Sequence, residues 1–129
     1  MKSKLPKQSL AESTKLVLPN DTNTLGHLFG GRLLAWMDEI AFVSANRHSK
    51  RIAVTASVNN VSFNKAIKLG DTVTLRAKVS RAFTSSMEVI IDVFVEDKIS
   101  DEYVNSRTLI TPFYYCNKLI KYGLKKIIK

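Results

Sequence analysis

Apolar residues recur at helical spacing only once in this chain. Leu33, Leu34, Met37, Ile40, Ala41 and Ala45 follow one another at intervals of three and four, which predicts one amphipathic helix from about Gly31 to Arg47-His48. The basic pair at its end suits the negative pole of a helix C-terminus. From Ile52 onward the period changes to two. Ile52 to Phe63 is β-branched and partly alternating, and Val73, Leu75, Ala77 and Val79 alternate with Thr74, Arg76 and Lys78 after a Leu69-Gly70-Asp71 turn. Met87, Val89, Ile91, Val93 and Val95 alternate again, with Phe94 suggesting burial on both faces. A strand ahead of the helix is predicted at Ser13–Leu18, stopped by Pro19, and Asn20 to Gly26 is rich in turn formers. One helix against a long antiparallel sheet is an α+β domain. Its sheet offers one apolar face to the helix and a second surface that needs a partner, so self-association is expected.

The 129 residues hold one such domain, 45% hydrophobic and 24% charged. No stretch approaches the ~20 apolar residues of a membrane span, and the lysine-bearing start has no apolar segment behind it to make a secretory signal. The single cysteine, Cys116, excludes an internal disulfide, and with two histidines no Cys/His zinc cluster is expected, so a reducing cytoplasm is the expected location. The net charge of +9 sits at the ends: +3 in residues 1–20, +5 in 117–129 and only +1 between. A nucleic-acid module carries its charge on a folded face, so no nucleic-acid partner is expected.

The helix entrance is the most informative place. Gly26 and the pair Gly30-Gly31 surround Phe29 just before the helix. Glycines there permit close approach, and the unpaired N–H groups of a helix start can polarise a carbonyl. They can equally serve a tight turn or let the helix lie close on the sheet, and spacing alone leaves both readings open. Asp38 shares a helix face with Gly31, Leu34, Ala41, Phe42 and Ala45, an expensive place for a carboxylate unless it is paired or functional. It lies about 10 Å along the axis from Gly31, too far for both to touch one atom within a chain. Asn23 can donate and accept hydrogen bonds, although turn asparagines mostly serve the turn. His27 and His48 read as packing and helix-end residues. No Gly-x-Ser-x-Gly elbow occurs, and Cys116 has no histidine nearby in sequence, so a covalent mechanism has little support.

Asn23-Thr24-Leu25-Gly26-His27-Leu28-Phe29-Gly30-Gly31 followed by Leu34-Ala35-Trp36-Met37-Asp38-Glu39 resembles the hotdog-fold acyl-CoA thioesterases, the cytosolic acyl-CoA hydrolase family of bacteria and vertebrate brain. The likeness continues through Ala45-Asn46-Arg47-His48, Val54-Thr55-Ala56-Ser57-Val58, Phe63, Gly70-Asp71 and Ser85-Ser86-Met87-Glu88-Val89, covering roughly residues 14–110. The resemblance implies a hotdog fold, a long helix wrapped by a curved antiparallel sheet. Two such chains would pair as a double-hotdog dimer, commonly assembled as a trimer of dimers. It implies hydrolysis of acyl-CoA to free acid and CoA without a metal or other cofactor. Asn23 and Asp38 match the family's catalytic pair, contributed by different subunits, with Asp38 activating water and Asn23 positioning water or substrate. The N–H groups near Gly30 and Gly31 would polarise the thioester. Lys65, Arg81 and the Thr84-Ser85-Ser86 turn fall where the family places CoA contacts. His27 stands where relatives often carry Asp or Asn.

The likeness ends at Ile110, and Pro112 lacks the N–H that a ladder needs, so the last strand is predicted around Tyr103–Ile110. The hotdog domain is expected over 1–116. Residues 117–129, with five lysines among Leu119, Ile120, Leu124, Ile127 and Ile128, read either as an amphipathic basic helix, weakened by Gly123, that contacts an anionic membrane or the oligomer, or as a solvated tail. Two rival functions are a non-catalytic acyl-CoA sensor and a basic module acting through its tails on nucleic acid or membrane.

Overall fold

The computed structural model describes residues 9–51, 53–58, 66–96 and 109–116. The predicted helix is α1, Gly30–Ser49. The strands are β1 (Ala11–Leu16), β2 (Val54–Val58), β3 (Thr72–Ala82), β4 (Ser86–Glu96) and β5 (Leu109–Cys116), and Pro19–Asp21 form a 3-10 turn. All pairings are antiparallel, in the order β1-β3-β4-β5-β2.

Helical and strand periods meet in a single core. On α1 the buried residues are Leu33, Trp36, Met37, Ile40, Ala41, Ser44 and Ala45, a continuous stripe at three- and four-residue steps. It lies chiefly on β3. The inner face of the sheet supplies Val73, Leu75, Ala77 and Val79 from β3 and Met87, Val89, Ile91 and Val93 from β4, all buried. At about 1.5–3 kcal/mol for each large side chain removed from water, this contact dominates the stability. The helix closes on Lys50, in the left-handed region at φ 56°, whose N–H donates to Asn46 O (2.9 Å).

Several expectations shift. The first strand lies two residues earlier than predicted. Val17 keeps backbone bonds to Asp71 and Gly70 beyond the ladder, so it is buried without belonging to the strand. Phe94 is not buried on both faces: it is half-buried on the outer face, where the Arg76 guanidinium lies 5.0 Å from its ring centroid, a cation–π contact. The last strand extends past the predicted end at Ile110 to Cys116, and it is internal, paired to β4 on one side and β2 on the other. Pro112 lies opposite Ile90 of β4, and the described pairing with β2 runs from Phe113, opposite Val58, to Cys116. The predicted strand portions at Ile52, 59–63 and 103–108, and the tail 117–129, lie outside the described residues.

Ser44 Oγ is fully buried and has no hydrogen-bond partner among the described residues. Removing it in Ser44→Ala abolishes an unsatisfied polar group, and urea unfolding is expected to show equal or greater stability. In the same experiment Lys50→Gly is expected to gain about 1 kcal/mol by relieving the left-handed Cβ, and Leu75→Ala to lose about 2–5 kcal/mol.

Candidate active site

The loop from Asn20 to Phe29 is organised by two short polar side chains. Asn23 Oδ1 accepts the N–H groups of Leu25 (2.9 Å) and His27 (3.1 Å), and its backbone N–H donates to His27 O (2.8 Å). Asp21 Oδ2 accepts the Leu18 N–H (3.0 Å), its Oδ1 lies 3.3 Å from Arg32 Nε, and its carbonyl accepts the Phe29 N–H (2.9 Å). The loop is thereby tied to the first turn of α1. The turn reading of Asn23 is therefore correct for its oxygen. The amide Nδ2 has no partner among the described residues.

The glycines divide by role. Gly26 sits at φ +74° and its N–H closes a turn onto Asn23 O (3.0 Å), a conformation costly for any residue with a Cβ. Gly31 has no such need. A Cβ there meets nothing within 4 Å, so close packing on the sheet does not explain it. Phe29, the N-cap, makes no side-chain cap, and the first helical bond found is Leu33 N–H to Phe29 O (3.1 Å). The N–H groups of Gly30 and Gly31 belong to the unpaired first turn of the helix, beside Asn23.

Asp38 stands apart from that loop. The predicted apolar stripe does not enclose it: Ala41 and Ala45 are buried, but Asp38 is half-exposed at the stripe's margin, next to exposed Phe42 and Val43. Thr55 Oγ1, from β2, donates to Asp38 Oδ1 at 2.6 Å, the length of a charge-assisted O–H···O⁻ bond. Both residues line an open apolar cleft of about 600 Å³ with Glu39, Phe42, Val43, Ala53 and Val54. Thr55 is a site residue that sequence spacing does not single out, since only the fold carries β2 to the third turn of the helix.

Register places the remaining candidates. Ser86 pairs with Cys116 and Cys116 with Val54, so the β3–β4 hairpin tip lies two strands, about 10 Å, from the start of β2. Arg81 and Thr84 are exposed and Ser85 and Ser86 half-buried on that hairpin. Lys65 lies outside the described residues. The Asn23 loop occupies the opposite end of the sheet, where Leu28 N–H bonds Ile67 O (2.7 Å) and Leu69 N–H bonds Gly26 O (2.9 Å) just before β3. The 11 residues of β3 separate the two ends by about 35 Å. Within one chain the fold thus gathers Asp38, Thr55 and the hairpin, and separately Asn23, Gly30 and Gly31. The contrast between the two glycines is measurable. Gly31→Ala is expected to leave unfolding stability unchanged or raise it by up to about 1 kcal/mol, whereas Gly26→Ala is expected to lose about 1 kcal/mol or more.

Residues 25–100 match the model of the thioesterase superfamily. Mouse acyl-coenzyme A thioesterase 11 is 41% identical over 117 residues, covering 91% of this chain and 20% of that protein. An acyl-CoA thioester hydrolase of Bacillus subtilis is 44% identical over 96 residues, covering 74% of this chain and 56% of that one. The chain thus spans a fifth to just over half of these relatives. The acyl-CoA hydrolase of Staphylococcus aureus, in complex with butyryl-CoA, CoA and CoA disulfide, superposes with a TM-score of 0.82 at 35% identity, over 89% of this chain and 69% of that one. Three variant structures of the same hydrolase carry alanine for an asparagine, an aspartate and a threonine. Those positions are spaced 15 and 17 residues apart, the spacings of Asn23, Asp38 and Thr55 here. A hexameric acyl-CoA thioesterase superposes at 0.76 with 36% identity, over 89% and 71% of the two chains. With a family model matching more than half of its length and a helix-on-sheet architecture shared with these hydrolases, the chain belongs to the thioesterase superfamily and has its hotdog fold.

Proposed function

We propose that this chain hydrolyses acyl-CoA thioesters to carboxylic acid and CoA at sites built between two of its copies. The observation that carries the reading is the Asp38 carboxylate, held by Thr55 at 2.6 Å on the wall of an open apolar cleft. A fixed carboxylate beside a space for an acyl chain is the arrangement that general-base activation of water needs. The spacing shared with the three Staphylococcus aureus variants supports assigning the work to Asn23, Asp38 and Thr55.

Each copy supplies one half of a site. Asp38 takes a proton from water, and the hydroxide equivalent attacks the thioester carbonyl. Thr55 orients the carboxylate and is a positioning residue. From the facing copy, the first-turn N–H groups at Gly30 and Gly31 stabilise the developing oxyanion, and the Asn23 amide positions water or substrate. The tetrahedral intermediate collapses with departure of the CoA thiolate, which takes up a proton. No cofactor or metal is required by this chemistry. The distance of about 10 Å along α1 between Gly31 and Asp38, too long for both to reach one atom within a chain, supports a two-chain site. So does the edge position of β2, whose outer side is unpaired among the described residues and can extend the sheet into a second copy. We place the assembly as a dimer or trimer of dimers in the cytoplasm, with Arg81, Thr84, Ser85 and Ser86 of the hairpin, and Lys65, on CoA.

Release of CoA thiol from acyl-CoAs of increasing chain length tests the reading. Asp38→Ala is expected to lose a factor of about 100 or more in kcat, and Thr55→Val about tenfold through loss of one bond to a charged group. Asn23→Ala and Asp38→Ala, each impaired alone, are expected to recover activity when refolded together. Absence of recovery would show that both residues act within one chain.

A further inference from the structure

Asp21 and Arg32 form a clamp around the two glycines of the helix entrance, and the hydrolytic steps give neither of them a task. The loop between them closes as a narrow antiparallel pair. Asn23 N–H donates to His27 O (2.8 Å), Thr22 bridges to Leu28, and Phe29 N–H donates to Asp21 O (2.9 Å). Asp21 stands at the base of that pair, at the end of the 3-10 turn Pro19–Asp21. Its Oδ1 also meets Arg32 Nε at 3.3 Å. Gly30 and Gly31 are thus bracketed by two residues bonded to the same aspartate, Phe29 before them and Arg32 after them.

Two features of this helix start run against local preference. A cation in the first turn opposes the positive pole of a helix, yet Arg32 is there and no acid shares the turn. An aspartate beside a helix start is well suited to accept its N–H groups. Asp21 instead accepts the Leu18 N–H at Oδ2 (3.0 Å) and turns Oδ1 to Arg32. The N–H groups of Gly30 and Gly31 therefore have no acceptor among the described residues. Two adjacent glycines in an uncapped first turn are prone to fray, whereas an oxyanion site needs its donors held to about 0.5 Å.

We infer that Asp21 is a positioning residue for hydrolysis: with Arg32 it holds the Gly30 and Gly31 N–H groups, and the Asn23 amide two residues on, in the arrangement that receives the thioester oxyanion. The guanidinium also offsets the Asp21 charge, which unpaired would oppose the negative charge growing on the thioester oxygen. The inference rests on the acyl-CoA reading above and adds to it the residues that keep its N–H donors in place. A clamp of this kind acts on the transition state, so its loss is read in kcat and not in KM.

The test measures kcat and KM for acyl-CoAs from butyryl-CoA upward, with calorimetric binding of two CoA analogues. One is a trifluoromethyl ketone thioether of CoA, whose carbonyl hydrates to a tetrahedral centre, and the other is S-butyl-CoA, which has no carbonyl. Asp21→Asn keeps an oxygen for the Leu18 N–H but loses the ion pair, and Arg32→Gln removes the pair from the other side. Each is expected to lower kcat by about 10- to 100-fold and to leave KM within about twofold. Each is expected to weaken the ketone analogue by a similar factor and S-butyl-CoA by less than about twofold. The double variant is expected to be no slower than the slower single one. Unchanged kcat in both variants, a change confined to KM, or equal weakening of both analogues would overturn the proposal. Arg32 is half-exposed and a pair of that kind contributes little to folding, so Arg32→Gln decides the matter should Asp21→Asn fail to fold. Wild type that hydrolyses no acyl-CoA defeats the hydrolytic reading and this inference together, whereas hydrolysis indifferent to both substitutions defeats the inference alone.

Discussion

Met37, Ala41 and Ala45 are wholly removed from water against an inner sheet face on which Val73, Leu75, Val89, Ile91 and Val93 are equally dry. Everything functional hangs from that contact. Because the helix is pinned along its buried stripe, the residues on its margin are fixed in direction too, and Asp38 is carried to the start of β2 rather than into solvent. The same contact sets the height of the first helical turn, and so where the N–H groups of Gly30 and Gly31 emerge. A helix free to roll would lose both at once. Within the stripe the Ser44 hydroxyl has no hydrogen-bond partner among the described residues.

Around this fixed axis, hydrogen bonds between short side chains and backbone do most of the local positioning, while ion pairs add little to stability. Glu12–Arg76 and Asp21–Arg32 have half-exposed basic partners, and pairs of that kind contribute at most about 1 kcal/mol. By contrast Asn23 spends its side-chain oxygen on two N–H groups of its own loop, and Asp71 holds the Lys68 N–H at 2.8 Å in the turn before β3. Each bond shapes its own loop, and backbone bonds from Leu28 N–H to Ile67 O and from Leu69 N–H to Gly26 O join the two loops at that end of the sheet. A residue can therefore be structural through one atom and available for chemistry through another, and Asn23 is built in that way.

Much of the fold was legible because burial imposes a period. The stripe of α1 and the inner faces of β3 and β4 each leave a repeating mark in the chain. The motif around Asn23 and Asp38 was legible for a different reason: its glycines and polar residues break the apolar patterns that surround them. What periodicity missed had no repeating mark. The extension of β5 to Cys116 runs through a proline, which reads in sequence as the end of a strand. Phe94 reads as a core residue in sequence, yet its cover is an arginine from the neighbouring strand.

The sequence by itself determined the class of fold, the approximate limits of its helix and longest strands, and the residue types at the helix entrance, since each depends on neighbours within a few positions along the chain. Tertiary structure alone decided that Thr55 grips Asp38 and that Asn23 lies at the far end of β3 from the hairpin. Those facts depend on strand order and register, which bring together residues 17 to 60 or more positions apart. No local pattern encodes such pairs, because the free energy that fixes them is shared across the whole sheet.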